Sequence, residues 1–167
     1  TKTVLAGSTV AVYSADVLAN DEKIDVETIK YTLNKDISTA ISSASLYLGS
    51  TLVATTSSSD IVGAFITFDN LDDLIIGTDS SELELRLTTN NYGKDKVLTT
   101  VYSDVKVTNI DVTKAKWVDS GDSITKINSD DNTVVLTPNS KIFSVVPAVV
   151  TPSVSTSLSS STTPVLQ

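Results

Sequence analysis

An all-β fold, a sandwich or barrel of short strands, is what this sequence predicts. Three observations carry that expectation. Apolar and polar residues alternate with period two in several segments, most cleanly where Leu83, Leu85 and Leu87 are separated by Glu84 and Arg86. Turn residues recur between these segments, with glycine at Gly7, Gly49, Gly63, Gly77, Gly93 and Gly121. The polar surface must be built largely from Ser and Thr, because only 19% of the chain is charged. β-Branched Thr favours extended backbone, so a Thr-rich solvated face suits a sheet.

Residues 9–18 read as the first strand. In residues 23–33, Ile29, Tyr31 and Leu33 point one way, and Thr28, Lys30 and Thr32 the other. Residues 34–46 are the least patterned, and Asp36 or Ser38 could cap a short helical turn there. Residues 44–55 form a hairpin around Gly49. A polar loop, Ser57 to Asp60, leads to 62–68, where Phe65 faces away from Ala64, Ile66 and Phe68. Leu74 to Ile76 form a further strand, followed by the alternating run at 82–88. One long or two short strands follow in 96–108, and strand-like pieces lie near 115–118, 123–127, 133–137 and 141–146.

The 167-residue length fits one domain, residues 1–146, with a division into two small β subdomains near 109–114 left open. Residues 147–167 change character. Pro147, Pro152 and Pro164 stand in a Ser/Thr-rich tract, which reads as an extended linker or interdomain segment. The chain begins with Thr1 rather than Met, as expected of a processed chain or a piece of a longer one.

The net charge of −8, with Arg86 as the one arginine, argues against nucleic-acid binding, which uses basic patches. No apolar run is long enough to span a membrane as a helix. Without Cys or His there are no disulfides, no Cys-His nucleophile and no common zinc site. Phosphate-binding glycine motifs and Asn-x-Ser/Thr glycosylation sites are absent from the sequence as well. The carboxylates Asp69, Asp72, Asp73, Glu82 and Glu84 are close in sequence, but nothing in their spacing sets two of them across a substrate, and a solvated surface accounts for them. No catalytic residue is therefore assigned, and the chain is read as a non-enzyme.

Three oxygen-rich loops are candidates for a structural calcium: Asp69, Asp72 and Asp73; Asp119 and Asp122; Asp130 and Asp131. Calcium takes six to eight oxygens, which loop carboxylates and carbonyls supply. The same residues are ordinary turn formers, and none of the loops has the twelve-residue EF-hand pattern. Trp117 and the turn residue Tyr92 are the aromatic candidates for a carbohydrate platform, with core packing the alternative for Trp117.

Residues 44–55, 66–89 and 141–155 together resemble Ig-like β-sandwich repeats of large secreted bacterial surface proteins, of adhesin-like and surface-layer-like type. Leu46, Tyr47, Gly49, Leu52, Val53 and Ala54 match the hairpin of those repeats. Thr67, Phe68, Asn70, Leu71, Ile75 and Gly77 match the strand pair that follows. The resemblance implies an Ig-like antiparallel β-sandwich, an extracellular location at the cell surface, and a role in spacing, adhesion or lattice formation. Copies of itself or neighbouring surface domains would be the partners. An adhesin-type or carbohydrate-binding module, with a glycan or cell-surface ligand, is the alternative. Unpaired sheet edges accept strands, so the N-terminal segment carrying Val4, Val10 and Val12 is the candidate for exchange between copies, with Thr9–Val17 as the first strand of its own sandwich the alternative.

Overall fold

The computed structural model describes residues 7–90 and 102–124 in full, and the backbone of residues 2–5, 134–139 and 143–146. It is an antiparallel β-sandwich, as the alternation and turn spacing imply. Among the described residues there is no α-helix, and the two 3-10 segments, Ser38–Ala40 and Ser58–Asp60, are single turns.

One sheet has the strand order β12-β2-β9-β4-β5, formed by Val134–Asn139, Thr9–Ala19, Ser81–Thr89, Ile41–Leu48 and Thr51–Ser57. The facing sheet runs β11-β3-β7-β6, formed by Val107–Trp117, Ile24–Leu33, Phe65–Phe68 and Ile61–Val62, with β8 (Ile75–Ile76) also on β3. A small third sheet joins β1 (Lys2–Leu5), β13 (Phe143–Val146) and β10 (Tyr102–Val105), and β1 with β13 is a parallel pair.

The core follows from the alternation. Leu83, Leu85 and Leu87 of β9 are buried between β2 and β4, where Leu85 stands opposite Tyr13 on one side and Leu46 on the other. Ile29, Tyr31 and Leu33 of β3 are buried from the facing sheet. Tyr31 touches both layers: its ring meets Tyr13 of β2 and Phe68 of β7 edge-on, each at 6.2 Å between centroids. Edge-to-face contact suits the ring quadrupoles.

Several details depart from simple alternation. In β3 the buried positions change parity, from Ile24 and Val26 to Ile29, Tyr31 and Leu33. The register against β11 is irregular at the same place, between Val112, Lys114 and Ala115. An extra residue in one strand shifts every later side chain to the other face. Residues 109–114 lie inside β11, which pairs with β3 from Val107 to Trp117 as one strand. Beyond Leu33, the Asn34 side chain donates to the Asp104 carbonyl and accepts from the Lys106 N–H, both at 2.9 Å. This clasp fixes the corner at Asp104, whose φ is +52°.

The turns follow the residues. Gly49, with φ +61°, closes the β4–β5 hairpin in a left-handed conformation that side chains disfavour. Asp36 accepts hydrogen bonds from both the N–H and the hydroxyl of Ser38, at 2.9 and 2.7 Å, just before the 3-10 turn, whose N-cap is Ile37 rather than Asp36 or Ser38. The linker reading of residues 147–167 lies outside the described residues, as do parts of the strand-like pieces at 96–108, 123–127, 133–137 and 141–146.

Candidate functional site

A cleft of about 270 Å³ opens on the side of the sandwich where β5 and β7 face each other. Ala54, Thr55 and Thr56 line one wall, Phe68, Asp69 and Asn70 the other, and Asp60 the end. Its shape follows from the chain path: β5 ends at Ser57, the 3-10 turn carries the chain across the gap, and β6 begins at Ile61.

Both carboxylates of this cleft are held by hydroxyls. The Thr56 hydroxyl donates to Asp60 Oδ2 at 2.6 Å, with the Ser57 hydroxyl at 3.3 Å. The Thr28 hydroxyl donates to Asp69 Oδ1 at 2.6 Å, and the Asn70 N–H to the same oxygen at 2.9 Å. The bond from Thr56 holds Asp60 below the ordinary carboxylate range, although the Asp69 charge opposes it. The Thr28 bond does the same for Asp69, helped by the Asn70 N–H. Two ionised, acceptor-only groups suit hydroxyl or cation donors; a general acid instead needs a raised pKa.

A shallower cleft of about 200 Å³ is lined by Asp21, Glu22, Trp117 and Ser120. Trp117 ends β11 and packs its partly buried ring against the core. The turn after it is tight: Trp117 N–H donates to the Asp122 carbonyl and Gly121 N–H to the Trp117 carbonyl, each at 2.9 Å. Gly121 takes φ +75° there. Core packing and an edge turned to the cleft are thus combined in one tryptophan. Tyr92 lies outside the described residues.

Asp69 stands in the β5–β7 cleft, while Asp72 and Asp73 are exposed on the following bend. Asp119 and Asp122 are exposed in the turn after Trp117. Asp130 and Asp131 lie outside the described residues. Among the described residues no three carboxylates converge as a metal site would require. Reading the sequence passed over Asp21, Glu22 and Asp60 as site residues, because each follows or precedes ordinary turn residues with no motif to mark it.

Of the assembly candidates, Val10 and Val12 belong to β2, which pairs with β9 on one side and β12 on the other. Val12 is fully buried. Val4 belongs to β1, whose backbone pairs with β13 of the same chain.

Hydroxyls lace the outer face of the β2-β9-β4-β5 sheet, and one also joins β11 to β3. Thr9 and Thr88 share a hydrogen bond at 2.8 Å across β2 and β9, and Ser45 and Thr55 one at 3.2 Å across β4 and β5. Ser42 donates to the Thr88 carbonyl and Thr108 to the Thr32 carbonyl, each at 3.1 Å. Arg86 bonds Glu84 and lies over the Tyr47 ring, 4.0 Å from its centroid. Compared with family models, curated proteins and solved structures, the chain has no match.

Proposed function

We propose that this chain is a structural domain of an extracellular cell-surface assembly, a filament, surface layer or adhesin stalk, built with copies of itself or neighbouring surface domains. The observation that carries the reading is the hydroxyl lacing of one outer face, that of the β2-β9-β4-β5 sheet. Thr9 with Thr88 and Ser45 with Thr55 tie neighbouring strands together without charge. Cross-strand hydroxyl pairs add stability, and unlike exposed ion pairs they do not weaken as salt rises. A sheet surface tied chiefly by uncharged hydroxyl pairs, with Arg86 and Glu84 the exception, suits a domain that bears load outside the cell. No helix among the described residues is long and apolar enough to cross a membrane.

Two measurements test this together. Purified chain should form oligomers or polymers, seen by sedimentation and negative-stain microscopy. Protease added to intact cells should remove it. A chain that stays monomeric at all concentrations, and that is protected in intact cells, would sink the proposal.

A second reading, a carbohydrate-binding module, is favoured by the cleft at Trp117. An aromatic face beside the carboxylates of Asp21 and Glu22 and the Ser120 hydroxyl offers an apolar surface and acceptors for sugar hydroxyls. Trp117 is the one tryptophan, so its fluorescence reports the cleft alone. Titration with a glycan panel should shift that emission, and Asp21→Asn should weaken the response. No shift with any glycan removes this reading.

A further inference from the structure

Sheet edges are where this fold is open to another chain, and its four sandwich edges are not alike. The edge strand β12 carries Pro138, which has no N–H to offer. The edge strand β11 carries Asp111, Lys114 and Lys116 and is broken by register irregularities. The edge strand β6 has only two residues. Charge, proline, bulges and shortness are the usual protections against edge-to-edge pairing. By contrast β5, Thr51–Ser57, is seven residues long and has neither charge nor proline. It carries a single register irregularity, and among the described residues it pairs only with β4. Leu52 on this strand is 51% exposed. Thr55 on the same strand is exposed, and the cleft beside it is lined by Thr55 and the buried Thr56 and Phe68.

We propose that β5 is an acceptor edge, and that it takes residues 153–163 of a second copy as an added strand. Charge selects this occupant. The chain carries a net charge of −8, so copies repel one another over most of their surface. Two stretches, residues 37–59 and 142–167, contain no Asp, Glu, Lys or Arg. The first contains β4 and β5. The second contains the proline-free run 153–163, bounded by Pro152 and Pro164. In that run Val154, Thr156 and Leu158 alternate with Ser153, Ser155 and Ser157, the period of a strand with one apolar face. Six residues separate it from the end of β13 at Val146, a reach of up to about 20 Å when extended. Strand addition satisfies the free backbone groups of the edge, and alternate side chains provide the fit. This deepens the assembly reading and rests on it.

The absence of cysteine makes a clean test. Full-length Thr55→Cys chain is mixed with full-length chains carrying single cysteines at positions 154 to 158 in turn, and the mixtures are oxidised. Residues directly opposite one another on adjacent strands lie within disulfide range, at about 4.5–5.5 Å between Cα atoms, and those two positions further along do not. The expected result is mixed dimers concentrated at one tail position, the residue directly opposite Thr55, with none from Val62→Cys, an exposed residue on the β6 edge. Thr55→Lys should in parallel weaken self-association measured by sedimentation. Disulfides that join only two Thr55→Cys chains would overturn the proposal in favour of β5 pairing with itself. Disulfides that form only within one doubly substituted chain would also overturn it, by placing the strand in its own copy. If the unmodified chain sediments as an oligomer and no tail position cross-links, the edge assignment fails and the assembly reading stands. If the unmodified chain is monomeric throughout, both fall.

Discussion

The hydroxyl of Tyr31 is buried and has no hydrogen-bond partner among the described residues. Replacing Tyr31 by Phe removes that oxygen and leaves the ring in place between Tyr13 and Phe68. An unmade hydrogen bond on a buried polar group costs about 1–3 kcal/mol, so the substitution should stabilise the fold by about 1–2 kcal/mol. For a chain of this size each kcal/mol moves Tm by about 2–4 °C, giving an expected rise of about 2–8 °C. Urea denaturation and calorimetry measure it. Burial, with the Tyr13 hydroxyl adding to it, also raises the Tyr31 pKa far above the ordinary phenol value. The unfolded phenol ionises near pH ~10 while the folded one stays neutral, so stability from this group is complete below about pH 10 and is lost as pH rises further. Tyr31→Phe lacks that loss, and its advantage should widen above about pH 10. A destabilisation of about 1 kcal/mol or more, or an advantage that shrinks at alkaline pH, would show that the hydroxyl has a partner and refute the reasoning.

Other consequences are equally measurable. Leu85 is fully buried between two paired strands, so Leu85→Ala should cost ~2–5 kcal/mol in a denaturant melt, whereas Leu52→Ala at the exposed edge should change stability by less than ~0.5 kcal/mol. Asp36, Asp60 and Asp69, held by hydroxyl and backbone donors, should titrate below the ordinary aspartate range in carboxyl-detected NMR. Their folded pKa values are depressed, so the stability they contribute is present above the unfolded value and is lost as pH falls through the folded one; Asp60→Asn should flatten that acid limb. Because no three carboxylates converge among the described residues, EGTA is expected to leave Tm unchanged, and a clear fall would place a stabilising ion on one of the acidic loops.

The alternating strands were the most legible part of this sequence. Leu83, Leu85 and Leu87, and Ile29, Tyr31 and Leu33, announce their buried faces because a strand with one wet face must alternate. Phe65 is turned away from the buried Ile66 and Phe68 as the alternation implies, but its face is exposed, where partial burial of both faces is what the apolar run suggests. The parity change within β3 is not readable, since a bulge is set by the partner strand and leaves no mark of its own in the local pattern. Nor does β11 read as one strand: it lies at a sheet edge, has charges at Lys114 and Lys116, and buries only Val112 and Ala115. The cleft between β5 and β7 joins residues from separate parts of the chain, Thr28, Thr56, Asp60 and Asp69, and no local motif links them.

Two chemistries hold the two outer faces. On the β3–β11 pair, Asp25 and Glu27 meet Lys116 at 3.6 and 3.7 Å, and Glu27 meets Lys114 at 3.8 Å. These are long, solvent-screened contacts, and exposed pairs of this kind contribute ~0–1 kcal/mol. Their orientation still matters, because like charges opposite one another would be destabilising. On the opposite sheet the strands from β2 through β5 are laced chiefly by hydroxyls, with Arg86 and Glu84 as the paired exception. Charge therefore guards the edge at β11, while the edge at β5 is left neutral. In a chain of net charge −8, a neutral edge is the place where another copy meets the least repulsion. The sparing use of charge thus links the composition of this chain to the side of the sandwich from which it would grow.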